Sequence, residues 1–439
     1  MIPKNIEQEI KSAVSSFGHI PYGHKMDGRL LYDINNPLGC NKFNREARED
    51  PLVGETPFIM VNEGECNYFT KINNVEQAGG HLAIIVSNDN NIDDGIFISE
   101  EGLSSNITIP ALLISKNDGQ YLINYYKEHA DSHEDIKDIR FEVKFENEKL
   151  DNTVKYDVWY IPDQENTYIF FKEFKSLQDA IGEDAQLGIH FFSFPHYTYS
   201  PDQKQNIQNC LGSGLYCIRP GKAGVTDGTD VLKEGIRQKC IYNYAYENKK
   251  KRKIFWEYMD TFYEKCLKEK KINRACSDEV LKKVGIPEND INKCYKDSFV
   301  SKGENYELYS KNTFLDKDYE LRKKNFVSKS PSITINDRVY LGSWKAESVF
   351  ESLCASLIEK PEICYSEVIF DRDIKGLSLT GFIIFILIVL VINVFIFLLC
   401  KRAIKKAIQK RVDSSEIDHK IDNVVGSYLS LRDSAPEEE

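Results

Sequence analysis

The sequence predicts an α/β (α+β) ectodomain in two parts, ahead of one transmembrane helix and a short tail. Three observations carry this. Residues 57–86 read strand, helix, strand: an apolar run from Pro57 to Val61, helical spacing of apolar residues from Phe69 to Ala78, and the unbroken apolar run Leu82 to Val86. Far downstream, two alternating segments flank Asn336-Asp337 behind a proline, and Val349, Phe350, Leu353 and Leu357 then share one helical face. Finally, Leu377 to Leu399 is apolar apart from Asn393, long enough for the roughly 20 residues that a membrane-crossing helix needs.

Charge orients that span. Lys401, Arg402, Lys405, Lys406, Lys410 and Arg411 follow it, whereas Asp371, Arg372, Asp373 and Lys375 ahead of it balance in sign. Positive charge marks the cytosolic side, so the long part before the span is lumenal or extracellular and Cys400 to Glu439 is cytosolic. The opening MIPKNIEQEI carries no apolar leader; a truncated start is expected, the alternative being that Leu377 to Leu399 acts as its own signal. A net charge of -11 over 439 residues offers no basic face, and no nucleic-acid partner is expected. Ten of the 11 cysteines precede the span: Cys40, Cys66, Cys210, Cys217, Cys240, Cys266, Cys276, Cys294, Cys354 and Cys364. An even number in an oxidising compartment reads as disulfides. No CxxC knuckle suggests zinc, and neither a metal nor another cofactor is expected. Cys400, at the cytosolic end of the span, is a candidate for palmitoylation or an unmodified boundary residue.

The first domain covers residues 1–148 with its N-terminal extension. Gly, Pro and Asn punctuate short apolar runs from Ser15 onward, Asn62-Glu63-Gly64-Glu65-Cys66 forms the turn after the first buried strand, and Gly79-Gly80 closes the helix. The stretch FIMVNEGECNYFTKINNVEQAGGHLAIIVSND, followed by SSNITIPALLISKNDGQYL, resembles the protease-associated domain of plant-type vacuolar sorting receptors, with Gly64, Cys66, Phe69, Ala78, Gly79, Ile109-Pro110 and Ile114-Ser115-Lys116 in the expected places. The resemblance implies a binding lid without catalytic residues, a Cys40 to Cys66 disulfide, and a cargo-contacting loop at Asn62, Glu63, Gly64 and Glu65. Those receptors usually carry an arginine just before the turn glycine. Glu63 inverts that charge, so their cargo motif does not transfer, and a basic or amine-terminated group is expected instead, with the second domain as the far wall of the site. Asn106-Ile107-Thr108 is a glycosylation sequon that suits a lumenal loop.

The second domain covers residues 149–366. A strand pattern at 151–171, a buried strand at Leu187 to Pro195, a long excursion, a proline, a hairpin and a helix follow the order of a thioredoxin-like fold with a helical insertion at about 203–302. In such folds the proline is cis, so Ser330-Pro331 is expected to be cis. RQKCIYNYAYENKKKRKIFWEYMDTFYEKC, ACSDEVLKKVGIPENDINKC, SPSITINDRVYLG and CASLIEKPEIC resemble the middle of the same receptors, and the likeness covers most of residues 15–366. Cys354 with Cys364 is the expected pair at the domain's end; the pairing of the six insertion cysteines stays open. Thioredoxin enzymes need a low-pKa thiolate at the helix start after the buried strand, where this chain has Phe194-Pro195-His196-Tyr197-Thr198-Tyr199-Ser200. No catalytic residue is expected. His129 and His133 have the spacing of a metal pair but lack the intervening glutamate of a zinc protease. Asp227-Gly228-Thr229-Asp230 fits a helix N-cap better than a calcium loop. The plant receptors hold calcium in growth-factor-like repeats; here Cys364 is followed almost directly by the span, which puts calcium dependence in doubt.

The tail from Val412 is polar and expected to be disordered. Within it, Tyr428-Leu429-Ser430-Leu431 fits the Tyr-x-x-apolar signal read by clathrin adaptors, and the receptors carry such a signal in their tails. The reading is a type I single-pass cargo receptor of Golgi, trans-Golgi and endosomal or prevacuolar membranes. It would carry soluble lumenal proteins to an endosomal, vacuolar or lysosome-like organelle, with a clathrin adaptor as cytosolic partner and no enzymatic activity. Its rivals are a membrane-tethered thiol oxidoreductase or chaperone and a structural surface glycoprotein.

Overall fold

A computed structural model describes residues 9–43, 56–92, 96–97, 107–128, 139–146, 149–195, 209–218, 227–246, 251–365, 393, 396–406, 408–409 and 416–427. They fall into two units, Met1–Ser366 and Glu367–Glu439.

The first domain forms around four parallel strands: β2 (Lys25–Tyr32), β3 (Pro57–Asn62), β4 (Leu82–Val86) and β6 (Ala111–Ile114). The strand β1 (Ser12–Ser15) runs antiparallel to β6, β7 (Arg140–Lys144) antiparallel to β2, and β5 (Ile96–Phe97) beside β1, giving the order β5-β1-β6-β4-β3-β2-β7. All five residues of β4 are buried, as expected of a parallel strand covered on both faces. One face is covered by α1 (Tyr68–Gln77), which buries Ile72 and Val75, and α2 (Lys116–Glu128) buries Leu122 and Ile123 in the other core cluster. Asn67 starts α1 by accepting from the Thr70 amide at 2.9 Å, and Gly79 follows its end at φ 85°, a conformation that suits glycine.

The second domain has the sheet order β13-β12-β8-β9, with β8 (Val154–Tyr160) parallel to β9 (Ala185–Phe191) and β12 (Ser332–Ile335) antiparallel to β8. Asn336 and Asp337, at φ 48° and 69°, turn β12 into β13 (Arg338–Val339), the two-residue turn that twisted hairpins favour. The Ser330-Pro331 peptide is cis. The aromatic rings of α3 (Glu165–Ile181) fill the core with Tyr156 and Tyr160. The helices α4 (Gly228–Tyr246), α5 (Arg252–Phe262), α6 (Arg274–Val284) and α7 (Glu288–Asp297) follow, held by Cys240–Cys294 and Cys266–Cys276. Then come α8 (Tyr306–Tyr309), α9 (Thr313–Lys324) and, after the hairpin, α10 (Ala346–Ala355), tied to the domain's end by Cys354–Cys364.

The outer edge of β9 is occupied by side chains. Tyr242 donates to the Leu187 carbonyl at 2.5 Å, Lys239 to the Ile189 carbonyl, and the Phe191 amide to Asp318 Oδ2 at 2.8 Å.

The two domains join through the loop between β1 and β2. The Tyr22 hydroxyl donates to the Leu341 carbonyl at 3.0 Å and accepts from the Leu341 amide at 3.2 Å, while its ring lies 5.7 Å from that of Tyr340. Burial pushes the Tyr22 phenol up to about 12. The Ser343 amide donates to the Gly18 carbonyl at 2.7 Å, His19 meets Ser348 and Glu351 at 3.2 and 3.1 Å, and Leu341 packs against the first domain's core. Gly342, at φ 121°, leaves room for the Gly18 carbonyl.

In the unit Glu367–Glu439, residues 396–406 and 416–427 are helical. Among the described residues no helix is long and apolar enough to cross a membrane. Of the predicted span Leu377 to Leu399, residues 377–392 and 394–395 lie outside the described residues. The expectation of a disordered tail is corrected for 416–427. Ile417, Ile421, Val424 and Val425 recur at helical spacing, and that periodicity outweighs the roughly 1 kcal/mol cost of Gly426.

Tyr22→Phe removes one hydroxyl and leaves two backbone groups of Leu341 without their partner. We expect a loss of about 1–3 kcal/mol, read as a lower urea midpoint of the two-domain portion or a split into two transitions; an unchanged midpoint contradicts the joint described here.

Candidate functional site

The C-terminal ends of β2, β3, β4 and β6 lie at one end of the sheet, the end at which α/β sheets bind ligands. The predicted loop Asn62, Glu63, Gly64 and Glu65 sits there, following β3. Glu63 turns inward. Its carboxylate accepts from the Tyr68 hydroxyl, from the Asn88 amide at 2.8 Å and from the Ser87 hydroxyl at 3.2 Å. Burial pushes the Glu63 carboxyl up, but those three bonds and the Lys71 ammonium outweigh it and hold the group below the ordinary carboxylate range. Gly64 and Glu65 follow at φ 118° and 58°, and this left-handed pair turns Glu65 outward to solvent. Asn62 donates through Nδ2 to the Tyr32 hydroxyl at 3.2 Å, while its buried Oδ1 has no hydrogen-bond partner among the described residues.

Beneath the loop, Cys66 is bonded to Cys40. Lys71 of α1 is fully buried; its Nζ donates to the Leu38 carbonyl at 2.6 Å and lies 3.6 Å from Cys40 Sγ. Burial lowers the Lys71 pKa, opposed by the Glu65 and Glu63 carboxylates. Asn74, one helical turn on, donates to the Gly39 carbonyl at 2.9 Å, and the Asn62 amide donates to the Pro37 carbonyl at 2.7 Å. Loop 33–41 is therefore strapped to the floor of the site by side chains the sequence reading passed over. The available signal was two polar residues, Lys71 and Asn74, on the helix face that carries Ile72 and Val75.

The second domain does not form the far wall of this site through its joint with the first. The loop of Gly18 to Gly23 precedes β2, and β2 is parallel to β3, so the joint lies at the N-terminal end of the strands and Glu63 at the other.

In the second domain, Phe194 exchanges backbone hydrogen bonds of 3.1 and 2.8 Å with Cys217, beside the place where a thioredoxin enzyme keeps its thiols. Cys217 is bonded to Cys210 across the short pair β10 (Cys210–Leu211) and β11 (Tyr216–Cys217), and both are buried. All ten cysteines ahead of residue 366 are paired, and Cys400 is free and exposed. Asn106, His129, His133, His196 to Ser200, Tyr428 and Leu431 lie outside the described residues.

The sequence reading also missed a buried charge cluster on β9. His190 Nε2 is 3.1 Å from Asp157 Oδ1 and its Nδ1 is 2.7 Å from Asp318 Oδ1, with the Trp159 ring stacked 4.4 Å away. Lys155 pairs with Asp157 at 2.9 Å, and Lys239 stands 3.9 Å from Asp318. A side chain on Gly188 would collide with Asp157 Oδ1, so glycine is what admits the pair. Burial lowers the His190 pKa, but the hydrogen bonds to both aspartates outweigh it and raise the imidazole above its ordinary value. Burial raises Asp157, and His190 and Lys155 bring it below its own.

Comparison with known proteins now places the chain. A PA domain matches over residues 26–122 and a vacuolar sorting receptor thioredoxin-like domain over residues 154–354. The chain is thus similar to a tandem of those two domains, with one disulfide inside the first and four inside the second. More particularly, the chain is a relative of the vacuolar-sorting receptors: it is 28% identical over 394 residues to vacuolar-sorting receptor 1 of Pisum sativum and, over the same length, to vacuolar-sorting receptor 3 of Arabidopsis thaliana. Each alignment covers 83% of this chain and 60% of the relative, so the chain spans about three-fifths of the length of the curated relatives it matches. Among solved structures, the thiol-disulfide oxidoreductase MdbA of Corynebacterium diphtheriae aligns at 11% identity with a TM-score of 0.29, covering 46% of this chain and 85% of that one. A likeness that weak carries no functional argument.

The His190 cluster gives a pH signature. The folded pKa of His190 lies above the unfolded one, so its contribution is complete below about pH 6.5 and is lost as pH rises through the folded value. Asp157 is held low, so its contribution is present above about pH 4 and is lost as pH falls through its folded value. We expect His190→Gln to cost on the order of 2 kcal/mol at about pH 5.5 and less at about pH 8. Urea unfolding of both proteins at the two pH values checks this, and a cost independent of pH contradicts it.

Proposed function

We propose that the chain is a type I single-pass cargo receptor that sorts soluble lumenal proteins from the Golgi to an endosomal, vacuolar or lysosome-like organelle. The observation that carries this is the match of both domains, in one chain, to the vacuolar-sorting receptors. The apolar run Leu377 to Leu399, followed by Lys401, Arg402, Lys405 and Lys406, supports a single span with the two domains lumenal. The pairing of all ten cysteines ahead of it supports a binding role over a thiol oxidoreductase. Asn106 is a proposed glycosylation site on the same lumenal side.

The cargo site in this reading is the loop of Asn62 to Glu65. Glu63 serves as an internal brace that fixes the loop, and Glu65 is the carboxylate offered to a basic or amine-terminated group on the cargo. The experiment is capture of lumenal proteins by the purified ectodomain, with the captured species identified and their affinities measured. Glu65→Arg is expected to weaken binding of such cargo about tenfold or more, since like charges now meet. Unaltered affinity would move the site elsewhere.

The tail carries the return signal: Tyr428 and Leu431, three residues apart, would fill two adaptor pockets in an extended peptide. Burial of a tyrosine ring is worth on the order of 2 kcal/mol, so Tyr428→Ala weakens a micromolar contact more than tenfold. The expected outcome by microscopy is a shift from Golgi and endosomes to the cell surface, with cargo secreted; an unchanged distribution makes Tyr428 a bystander.

A further inference from the structure

The five disulfides are not chemically equivalent. Both cysteines of Cys210–Cys217 are buried, and so are Cys240, Cys266 and Cys354, one in each of three others. In Cys40–Cys66 both partners are partly exposed. The bond sits at the open end of the first domain's sheet, on a turn whose neighbour Glu65 faces solvent, so an incoming thiol has access.

The second asymmetry is electrostatic. Lys71 Nζ stands 3.6 Å from Cys40 Sγ and is fixed there by its 2.6 Å bond to the Leu38 carbonyl. The lysine is fully buried, so its charge acts on the sulfur with little screening by water. Cys66 is the other partner of the bond, next in the chain to the exposed Glu65. A thiolate is thus stabilised at Cys40, the sulfur that Lys71 touches. Disulfide exchange is fastest when the departing sulfur is the better thiolate, which makes Cys66 the sulfur to be attacked and Cys40 the one to leave.

We propose that Cys66 is a capture site for small uncharged thiols: a thiolate attacks Cys66 Sγ, the Cys40–Cys66 bond breaks, and Cys40 departs as a thiolate paired with the Lys71 ammonium. The product is a mixed disulfide on Cys66. A second thiol equivalent attacking the outer sulfur frees Cys66 and leaves as the small-molecule disulfide, so two thiols are oxidised, one protein disulfide is reduced, and the two protons from the attacking thiols end on Cys40 and Cys66. Uncharged thiols are favoured because an anionic one would meet the exposed Glu65 at this turn. The opened form keeps its shape, since the bonds from Lys71 to Leu38, Asn74 to Gly39 and Asn62 to Pro37 still hold loop 33–41. The inference does not rest on the cargo reading.

The test uses the full chain in detergent, with 2-mercaptoethanol as the monothiol and dithiothreitol as the dithiol. Alkylation of freed thiols and peptide mass mapping follow each time point. Dithiothreitol is expected to open Cys40–Cys66 at least about threefold faster than any other pair. The monothiol adduct is expected on Cys66, with the free thiol on Cys40. Lys71→Met slows opening by about threefold or more and Lys71→Arg restores it. The proposal is overturned if another pair opens first, if the adduct lies on Cys40, or if Lys71→Met opens at the wild-type rate. Should Lys71→Met fail to fold, the position of the adduct in the wild-type chain still decides.

Discussion

The arrangement of the two domains depends on one side chain closing a circuit with one peptide unit. The Tyr22 hydroxyl is donor to the carbonyl and acceptor from the amide of Leu341, so the first domain's loop satisfies both polar groups of a residue whose side chain packs against that same domain's core. Buried backbone groups need partners, and here the partner belongs to the other domain. The consequence is directional. With the joint at the N-terminal end of the parallel strands, the loops at their C-terminal end stay clear of it, and the proposed cargo loop is left facing outward.

Much of the local structure was legible in the sequence because short-range physics set it. Asn336-Asp337 between alternating segments names a turn that needs two positive φ values, and the unbroken Leu82–Val86 run names a strand buried on both faces. The spacing from Phe69 to Ala78 and the Gly79-Gly80 stop name a helix. What the sequence concealed is long-range. Lys71 and Asn74 read as ordinary polar helix residues until loop 33–41 is brought over them. His190 reads as an incidental member of an apolar strand until α9, more than a hundred residues later, delivers Asp318. The inward turn of Glu63 and outward turn of Glu65 depend on the left-handed backbone between them. The tail helix was concealed for a different reason: the polar composition of the tail masks the helical spacing of Ile417, Ile421, Val424 and Val425.

Each domain thus buries a basic side chain, and each uses it to help hold a segment in place. An isolated ammonium or imidazolium in an apolar interior is costly. Lys71 meets that cost with the Leu38 carbonyl and two nearby carboxylates, and the return is a fixed loop under the binding turn. His190 meets it with two aspartates, one on the sheet and one on α9, and the return is a helix docked against the strand edge.

The side chains that occupy the rim of β9 have a consequence for the protein as a solute. An exposed strand edge is a template on which other chains add strands and aggregate. Here Tyr242, Lys239 and Asp318 take the outward backbone groups of Leu187, Ile189 and Phe191, and they come from helices anchored elsewhere in the fold. In a crowded, protein-rich solution the second domain does not offer that rim to the unfolded segments of its neighbours. A partner that engages this side of it must do so through side-chain complementarity, because the backbone there is already spoken for.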